Sequence, residues 1–222
     1  MSIIKTIKLE MLGGLTSVNC YLIQEGSEFF LIDTGMSRTR KELEKNLEES
    51  GCKPKNLNLV LITHGDSDHI GNCAYLQQEY GAQIAMHNGD FGMAEYGDML
   101  WNRKGNILSR IISPFMGLSK SERFKPDIYV EDGDDLKEYG LDAKIIHIPG
   151  HSSGSIGILT NELDLFCGDL FSNTKKPALN SIMDDKIAAK ASIEKLENLN
   201  INYVYPGHGD PFRWDQLAQV ID

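Results

Sequence analysis

Leu61-Ile62-Thr63-His64-Gly65-Asp66-Ser67-Asp68-His69-Ile70-Gly71-Asn72 runs from an apolar, β-branched segment directly into two imidazoles and two carboxylates. It reads as the end of a buried strand that delivers a metal site. His64, Asp66, Asp68 and His69 offer nitrogen and hard oxygen donors, a mixture that suits zinc, iron or manganese better than calcium. Residues two apart in an extended turn can converge on one cation, whereas the adjacent Asp68 and His69 point apart and could serve a second. A plain polar loop with an N-capping aspartate before a helix at Ile70 would account for one carboxylate, but not for a run of donors.

Upstream of this stretch, Ile3–Leu9, Val18–Ile23 and Phe29–Ile32 have strand length and composition and are expected to form an antiparallel meander. The meander ends at Asp33-Thr34-Gly35. Arg38–Ser50 then places Leu43 and Leu47 four apart on a charged background and stops at Gly51, as an amphipathic helix does. Asp33 has two readings, as the start of the turn before that helix or as a carboxylate that orients a ligand histidine.

Downstream, the apolar strand Leu59–Thr63, a helix over Ile70–Tyr80 closed by Gly81, and a strand at Gln83–Met86 give a βαβ rhythm. The segment from about 88 to 125 breaks it. Phe91, Met93, Trp101, Ile111, Phe115 and Met116 lie there among glycines, and the segment is expected to be a helical insertion. Its apolar side chains are expected to pack on the body, to make a homodimer contact, or to wall a pocket facing the metals. The second half repeats the theme, with strands at Lys144–Ile148, Leu163–Cys167 and Tyr203–Tyr205 that run into His151, Asp169 and His208, and a helix from about Asp185 to Leu199. Two sheet-and-helix halves of similar order predict an α/β fold, a four-layer αββα sandwich of two mixed sheets flanked by helices, with every donor on one edge.

The 222 residues, 41% hydrophobic and 24% charged, fit one domain over 1–222. A net charge of −10 without a basic run argues against a nucleic-acid surface. No signal pattern or membrane-length apolar run is present, so the chain is expected to be cytoplasmic and without a membrane partner. Cys20, Cys52, Cys73 and Cys167 are scattered without a CxxC pair and are expected to be reduced, mostly buried thiols.

His64-x-Asp66-x-Asp68-His69, the PGHSSGS around His151, the Gly168-Asp169 pair and the GHG around His208 resemble, in order and over nearly the whole chain, the motif set of the metallo-beta-lactamase-fold hydrolases. The resemblance implies a first metal held by His64, Asp66 and His151, a second by Asp68, His69 and His208, and Asp169 as the bridge. It also implies two divalent transition-metal ions, zinc first, with iron or manganese as alternatives. One position departs from the pattern, because the family commonly has histidine where this chain has Asp66. An aspartate is shorter, anionic and harder, and so is expected to weaken that site for zinc, to favour iron or manganese there, or to lower the effective Lewis acidity. His87 and His147 match no ligand position and are expected to pack, hydrogen-bond or rim the pocket. Ser155 and Thr34 are read mainly as turn-stabilising hydroxyls.

Hydrolysis is the reaction such a centre implies. A carboxylate-bridged pair of cations about 3.5–4 Å apart holds a hydroxide at neutral pH and polarises a substrate oxygen, with Asp68 as the catalytic carboxylate that accepts a hydrogen bond from the nucleophile. The resemblance implies a small-molecule substrate with an ester, thioester, lactone, β-lactam or phosphoester-type bond. Two other classes compete. A carboxylate in the second motif position also resembles the diiron module of flavodiiron reductases, although a flavin domain is not expected within 222 residues. A non-catalytic metal or ligand sensor on the same scaffold is the other.

Overall fold

Tyr21, Ile23, Phe30, Ile32, Leu59 and Leu61 alternate along three neighbouring strands with Cys20, Leu22, Phe29, Leu31, Val60 and Ile62, and the two sets are buried in different cores. Successive side chains of a strand face opposite ways, so this sheet is covered on both sides. That is why its strands read as continuous apolar runs rather than as alternating ones.

The computed structural model of the chain describes residues 2–103 and 117–217. The first sheet comprises β1 (Ile3–Met11), β2 (Thr16–Glu25), β3 (Glu28–Ile32), β4 (Leu57–Ile62), β5 (Gln83–His87) and β6 (Ile128–Val130), in sequential order. The expected meander is β1 to β3, antiparallel. From β3 to β6 the pairing is parallel, as the βαβ rhythm requires. The second sheet comprises β7 (Ala143–His147), β8 (Ile156–Thr160), β9 (Asp164–Asn173), β10 (Ala178–Leu179), β11 (Tyr203–Gly209) and β12 (Phe212–Arg213). Its order is β12-β11-β9-β8-β7 with β10 on β9, and it is mixed because β9 and β11 run parallel.

Between the sheets, Tyr21, Ile23, Phe30, Leu59 and Leu61 meet Ile145, Ile156, Ile158 and Phe166. Outside the first sheet lies α1 (Arg40–Glu49), whose Leu43 and Leu47 are buried one turn apart; full burial of such a leucine contributes about 1.5–3 kcal/mol. Outside the second lies the helix Lys186–Glu197, packed through Ala189, Ile193 and Leu196 and capped by Asp185, which accepts from the Ile187 and Ala188 amides. The layers are therefore helix, sheet, sheet and helix, the predicted αββα sandwich.

Three expectations are corrected. The helix foreseen over Ile70–Tyr80 is instead α2 (Ser67–Ile70), then Cys73–Tyr75 and a π-helical turn Leu76–Tyr80. The break falls at Gly71 and Asn72, where the Asn72 backbone amide donates to the Thr34 hydroxyl instead of continuing the helix, and the side-chain amide donates to the carbonyls of Thr34 and Met36. Asp169 and His208 do not lie past their strands, since β9 runs on to Asn173 and β11 to Gly209. Register shifts after Tyr205 and Pro206, opposite Gly168, re-aim both side chains within the sheet. In the 88–125 segment the only α-helix among the described residues is Phe91–Tyr96. Met93 is fully buried in the core, and Phe91, Tyr96 and Trp101 pack tilted or edge-on against one another at 5.0–6.0 Å. The expected apolar wall is thus corrected for Met93, and Ile111, Phe115 and Met116 lie outside the described residues.

Candidate metal centre

Thr63, just past β4, starts the site. Beyond it His64 and Gly65 lie in irregular backbone, Asp66 is extended, and α2 begins with the His69 and Ile70 amides donating to the Asp66 carbonyl at 2.8 and 3.1 Å. His64 and Asp66 are therefore presented from the connection between strand and helix, and Asp68 and His69 from a helical turn. Gly65 is required by close approach, because a Cβ there would lie 2.6 Å from the Met93 sulfur. Gly207 is required likewise, since its Cβ would lie 2.3 Å from Asp169 Oδ1 and 2.7 Å from His69 Cε1.

All seven side chains singled out from the sequence converge. Ligand atoms of His64, Asp66 and His151 lie within 4.8 Å of one another, as do those of Asp68, His69 and His208, and those of His64, His69 and Asp169. Each of the four imidazoles is held from behind by its Nδ1. His69 Nδ1 donates to Asp33 Oδ2 at 2.8 Å, His64 Nδ1 to Thr63 Oγ1 at 3.1 Å, His151 Nδ1 to the Ile182 carbonyl at 2.8 Å and His208 Nδ1 to the Ser17 carbonyl at 2.6 Å. These bonds fix the tautomer and aim every Nε2 inward. His64 Nε2, His69 Nε2 and Asp169 Oδ1 are buried and have no hydrogen-bond partner in the protein. Buried polar atoms are otherwise almost always paired, so a donor set of imidazoles and carboxylates with orphaned lone pairs fits a pair of transition-metal cations.

The electrostatics point the same way. Burial raises the cost of charge on Asp66, yet the hydrogen bond from His151, the His64 imidazole 3.5 Å away and the Arg103 charge hold it well below the usual carboxylate range. Asp68 and Asp169 are likewise lowered against burial, by His69 and His208 above all. Three ionised carboxylates thus sit in a largely buried cluster, which demands compensating positive charge. Part of it comes from protonated imidazoles, since Asp33, Asp68 and Asp169 overcome burial and push His69 up to about 9. His64, lowered by burial and by the charges of His69 and His151, stays neutral.

Several contributors were not foreseen. Asp90, completely buried, accepts from the Gly65 amide at 2.9 Å, the Ser152 hydroxyl at 2.6 Å and the Gly154 amide at 2.8 Å, and so ties the loop of His64 to the loop of His151. Asn180 donates to Asp169 Oδ2 at 3.2 Å. Arg103 reaches Asp66 from the inserted segment. Asp90 was detectable as one more acidic residue just past a strand of the same sheet, whereas nothing near Arg103 in the sequence signals its partner. Ser155 bonds the Ser152 amide and hydroxyl, and Thr34 bonds the His69 carbonyl and Asn72 amide, so both hydroxyls hold turns. His87 and His147 stack on each other at 4.1 Å, apart from the cluster.

Comparison with known proteins agrees with this architecture. A model of the metallo-beta-lactamase superfamily matches residues 13–208. Hydroxyacylglutathione hydrolase GloC of Haemophilus influenzae is 32% identical over 155 residues, covering 68% of this chain and 66% of its own. The chain spans 60% of a beta-lactamase-like protein 2 homolog of Caenorhabditis elegans, so it covers less than two thirds of both relatives. Among solved structures, the BLEG-1 B3 metallo-beta-lactamase superposes with a TM-score of 0.75 at 21% identity, covering 96% of this chain and 95% of that one. TTHA1623, in a di-iron-bound form, superposes with a TM-score of 0.72 at 24% identity, covering 93% and 95%. These two likenesses show the fold. With a family model that takes in nearly every element from β2 to β11, the chain belongs to the metallo-beta-lactamase superfamily.

Proposed function

We propose that this chain is a binuclear metallohydrolase that cleaves a small acyl thioester. In this reading His64, Asp66 and His151 would hold one ion and Asp68, His69 and His208 the other, with Asp169 available to both. The observation that carries it is the set of imidazoles tethered outward through Nδ1 with orphaned Nε2 atoms facing ionised carboxylates. When bound, such a cation pair supplies Lewis acidity and makes water nucleophilic near neutral pH. The protein's own part is to position and to move protons. Asp68 Oδ2 lies 3.4 Å from His208 Nε2 and 3.9 Å from His69 Nε2, and its lowered pKa keeps it ionised, so it accepts a hydrogen bond from the attacking water.

The same ionisation bears on the substrate. As metal ligands Asp66, Asp68 and Asp169 would all be ionised, so none of the three would carry a proton to give to a leaving group. A thiolate departs without one, its conjugate acid having a pKa of about 8.5, whereas an amine does not. The similarity to a hydroxyacylglutathione hydrolase supports the same choice, a hydroxyacylglutathione being an acyl thioester. A relative of the fold with two irons makes iron a metal to be assayed beside zinc and manganese.

The test joins elemental analysis of the purified chain to a panel of S-acyl thioesters, lactones, β-lactams and phosphodiesters, with chelator controls. Close to two ions per chain and chelator-sensitive thiol release from the thioesters are expected. A loaded chain inert toward every class would favour a sensor, and an iron-loaded chain that consumes oxygen would favour the diiron redox reading; either would refute the hydrolase.

A further inference from the structure

Arg103 is the one cation in direct contact with the cluster among the described residues. Its Nη1 donates to Asp66 Oδ1 at 2.5 Å and its Nη2 to Asp66 Oδ2 at 3.1 Å, while its Nε donates to Asp184 Oδ2 at 2.6 Å. The guanidinium is thereby fixed on both edges, with a side chain only 15% exposed. We propose that Arg103 is a positioning residue of the metal centre, recruited by the aspartate at 66: its fork holds Asp66 so that one oxygen faces the first ion, and its charge replaces the one lost when an anionic ligand stands in for a neutral imidazole. The proposal rests on the metal-binding reading above.

The geometry explains how an aspartate can serve there. An imidazole ligand is oriented by one bond through its far nitrogen, as His64, His69, His151 and His208 are here. A carboxylate has no far nitrogen and can swing between one-oxygen and two-oxygen ligation. A bidentate arginine takes one lone pair on each oxygen in a fixed plane, which leaves Asp66 Oδ2, 2.8 Å from His151 Nε2 and 3.5 Å from His64 Nε2, as the oxygen facing the other two donors of its group. Asp184 keeps the fork in place from outside. The backbone there is itself tied to the site, because the Asp184 amide donates to the Gly150 carbonyl beside His151, and the Ile182 carbonyl holds His151 Nδ1.

Charge gives the same pairing a sign. Asp66, Asp68 and Asp169 bring three negative charges toward two divalent cations, one more than the same set would with histidine at 66. Arg103 returns that unit of positive charge. Asp184, with a third of its side chain exposed, is screened by water and offsets it only in part. Beside a histidine at 66 the two Nη groups would lose their carboxylate, only Asp184 on Nε would remain, and the guanidinium charge would repel the ion. Arg103 should therefore support metal binding with aspartate at 66 and oppose it with histidine there.

The test measures ion content and retention against a competing chelator, with zinc as the probe, for the wild type, Arg103→Leu, Arg103→Lys, Asp66→His and Asp66→His/Arg103→Leu. The wild type should take up two ions. Arg103→Leu should hold one of them about 10–100-fold more weakly, the cost typical of losing a hydrogen-bond partner behind a metal ligand, and leave the other unchanged. Arg103→Lys, which keeps the charge without the fork, should fall between. In the Asp66→His background the sign should invert, with Arg103→Leu raising retention, an inversion that a merely structural arginine would not produce. Asp184→Asn, a milder change, should weaken the same ion if Arg103→Leu fails to fold. Retention equal to wild type in Arg103→Leu, or in Asp184→Asn when that variant stands in for it, would overturn the proposal, as would loss of retention in both backgrounds. A wild type that takes up fewer than two ions would instead overturn the metal-binding reading itself, and this proposal with it.

Discussion

Asp33 and His69 form a buried ion pair of 2.8 Å behind the cluster, and the same carboxylate accepts the Thr63 amide at 2.9 Å and the Thr63 hydroxyl at 2.7 Å. Because Thr63 in turn receives His64 Nδ1, one aspartate orients two imidazoles. Asp33 does so from a left-handed backbone, φ 58°, a conformation that asparagine also tolerates. Asp33→Asn should therefore fold, yet its amide cannot accept from both Thr63 and His69. In either rotamer an NH2 faces a donor, and when it faces His69 it forces the proton onto Nε2, where it blocks ligation. Metal affinity should fall about 10–100-fold, read by chelator competition. Wild-type retention would mean that the pair does not set the His69 tautomer.

The metal-free chain should respond to pH in a direction opposite to metal binding. His69 is pushed up to about 9 by Asp33, Asp68 and Asp169 against burial, and His208 up to about 11 by Asp169 and Asp68 against burial. Both values lie above the unfolded imidazole value of about 6.5, so the stabilisation they carry is complete below that pH and is lost as pH rises through the folded values. Ligation needs the neutral ring and therefore gains as pH rises. The Tm of the chelator-stripped protein should fall from about pH 7 to about pH 9, and its gap to the loaded protein should widen. A scanning-fluorimetry series in which the gap narrows would contradict this assignment of charge.

Much of the sandwich could be read in the sequence because two-sided burial leaves a plain mark. Leu57–Ile62 and Phe29–Ile32 are apolar at nearly every position, and the stripe of Leu43 and Leu47 ends at Gly51, whose amide closes the helix on the Glu48 carbonyl. The cluster was legible for a related reason, since donors placed just beyond apolar runs, or at bulges near their ends, gather on one sheet edge. What failed to show has no local pattern. Arg103 lies 37 residues from Asp66, and its pairing depends on where an irregular segment returns to the body. The bulge at Gly168 is set by register against β11, which no single strand reveals. The break at Gly71 and Asn72 depends on the Thr34 hydroxyl, which takes the Asn72 backbone amide, and on carbonyls of Thr34 and Met36 that take its side chain, all from the preceding turn.

The cysteines should be inert in the folded chain. Cys20, Cys52, Cys73 and Cys167 are all free and buried, and burial pushes the Cys52 and Cys167 thiols up to about 12. The thiolate is the reactive form, so a chromogenic disulfide reagent at neutral pH should titrate less than about one thiol per native chain and all four after denaturation. Rapid reaction of a native thiol would show that one of these cores opens readily.

Asp66→His changes the one ligand-position residue that departs from the family pattern, and its consequences follow from donor softness and charge. Imidazole is a borderline nitrogen donor and carboxylate a hard oxygen donor, so the exchange should move metal preference toward zinc and away from manganese and iron. Space permits it, because Asp66 lies at the partly exposed mouth, 20% accessible, rather than in the core. The variant should therefore fold with a Tm close to that of the wild type when metal-free. Total affinity should not rise in proportion to the new donor, since Arg103 then faces the ion with Asp184 on its Nε but no carboxylate on its Nη groups. Competition of zinc against manganese, followed by elemental analysis of the two proteins loaded from equimolar mixtures, reads the preference directly. A zinc-to-manganese ratio unchanged from wild type would place Asp66 outside the coordination sphere, and the fork of Arg103 would then be a part-buried structural ion pair without bearing on the metal.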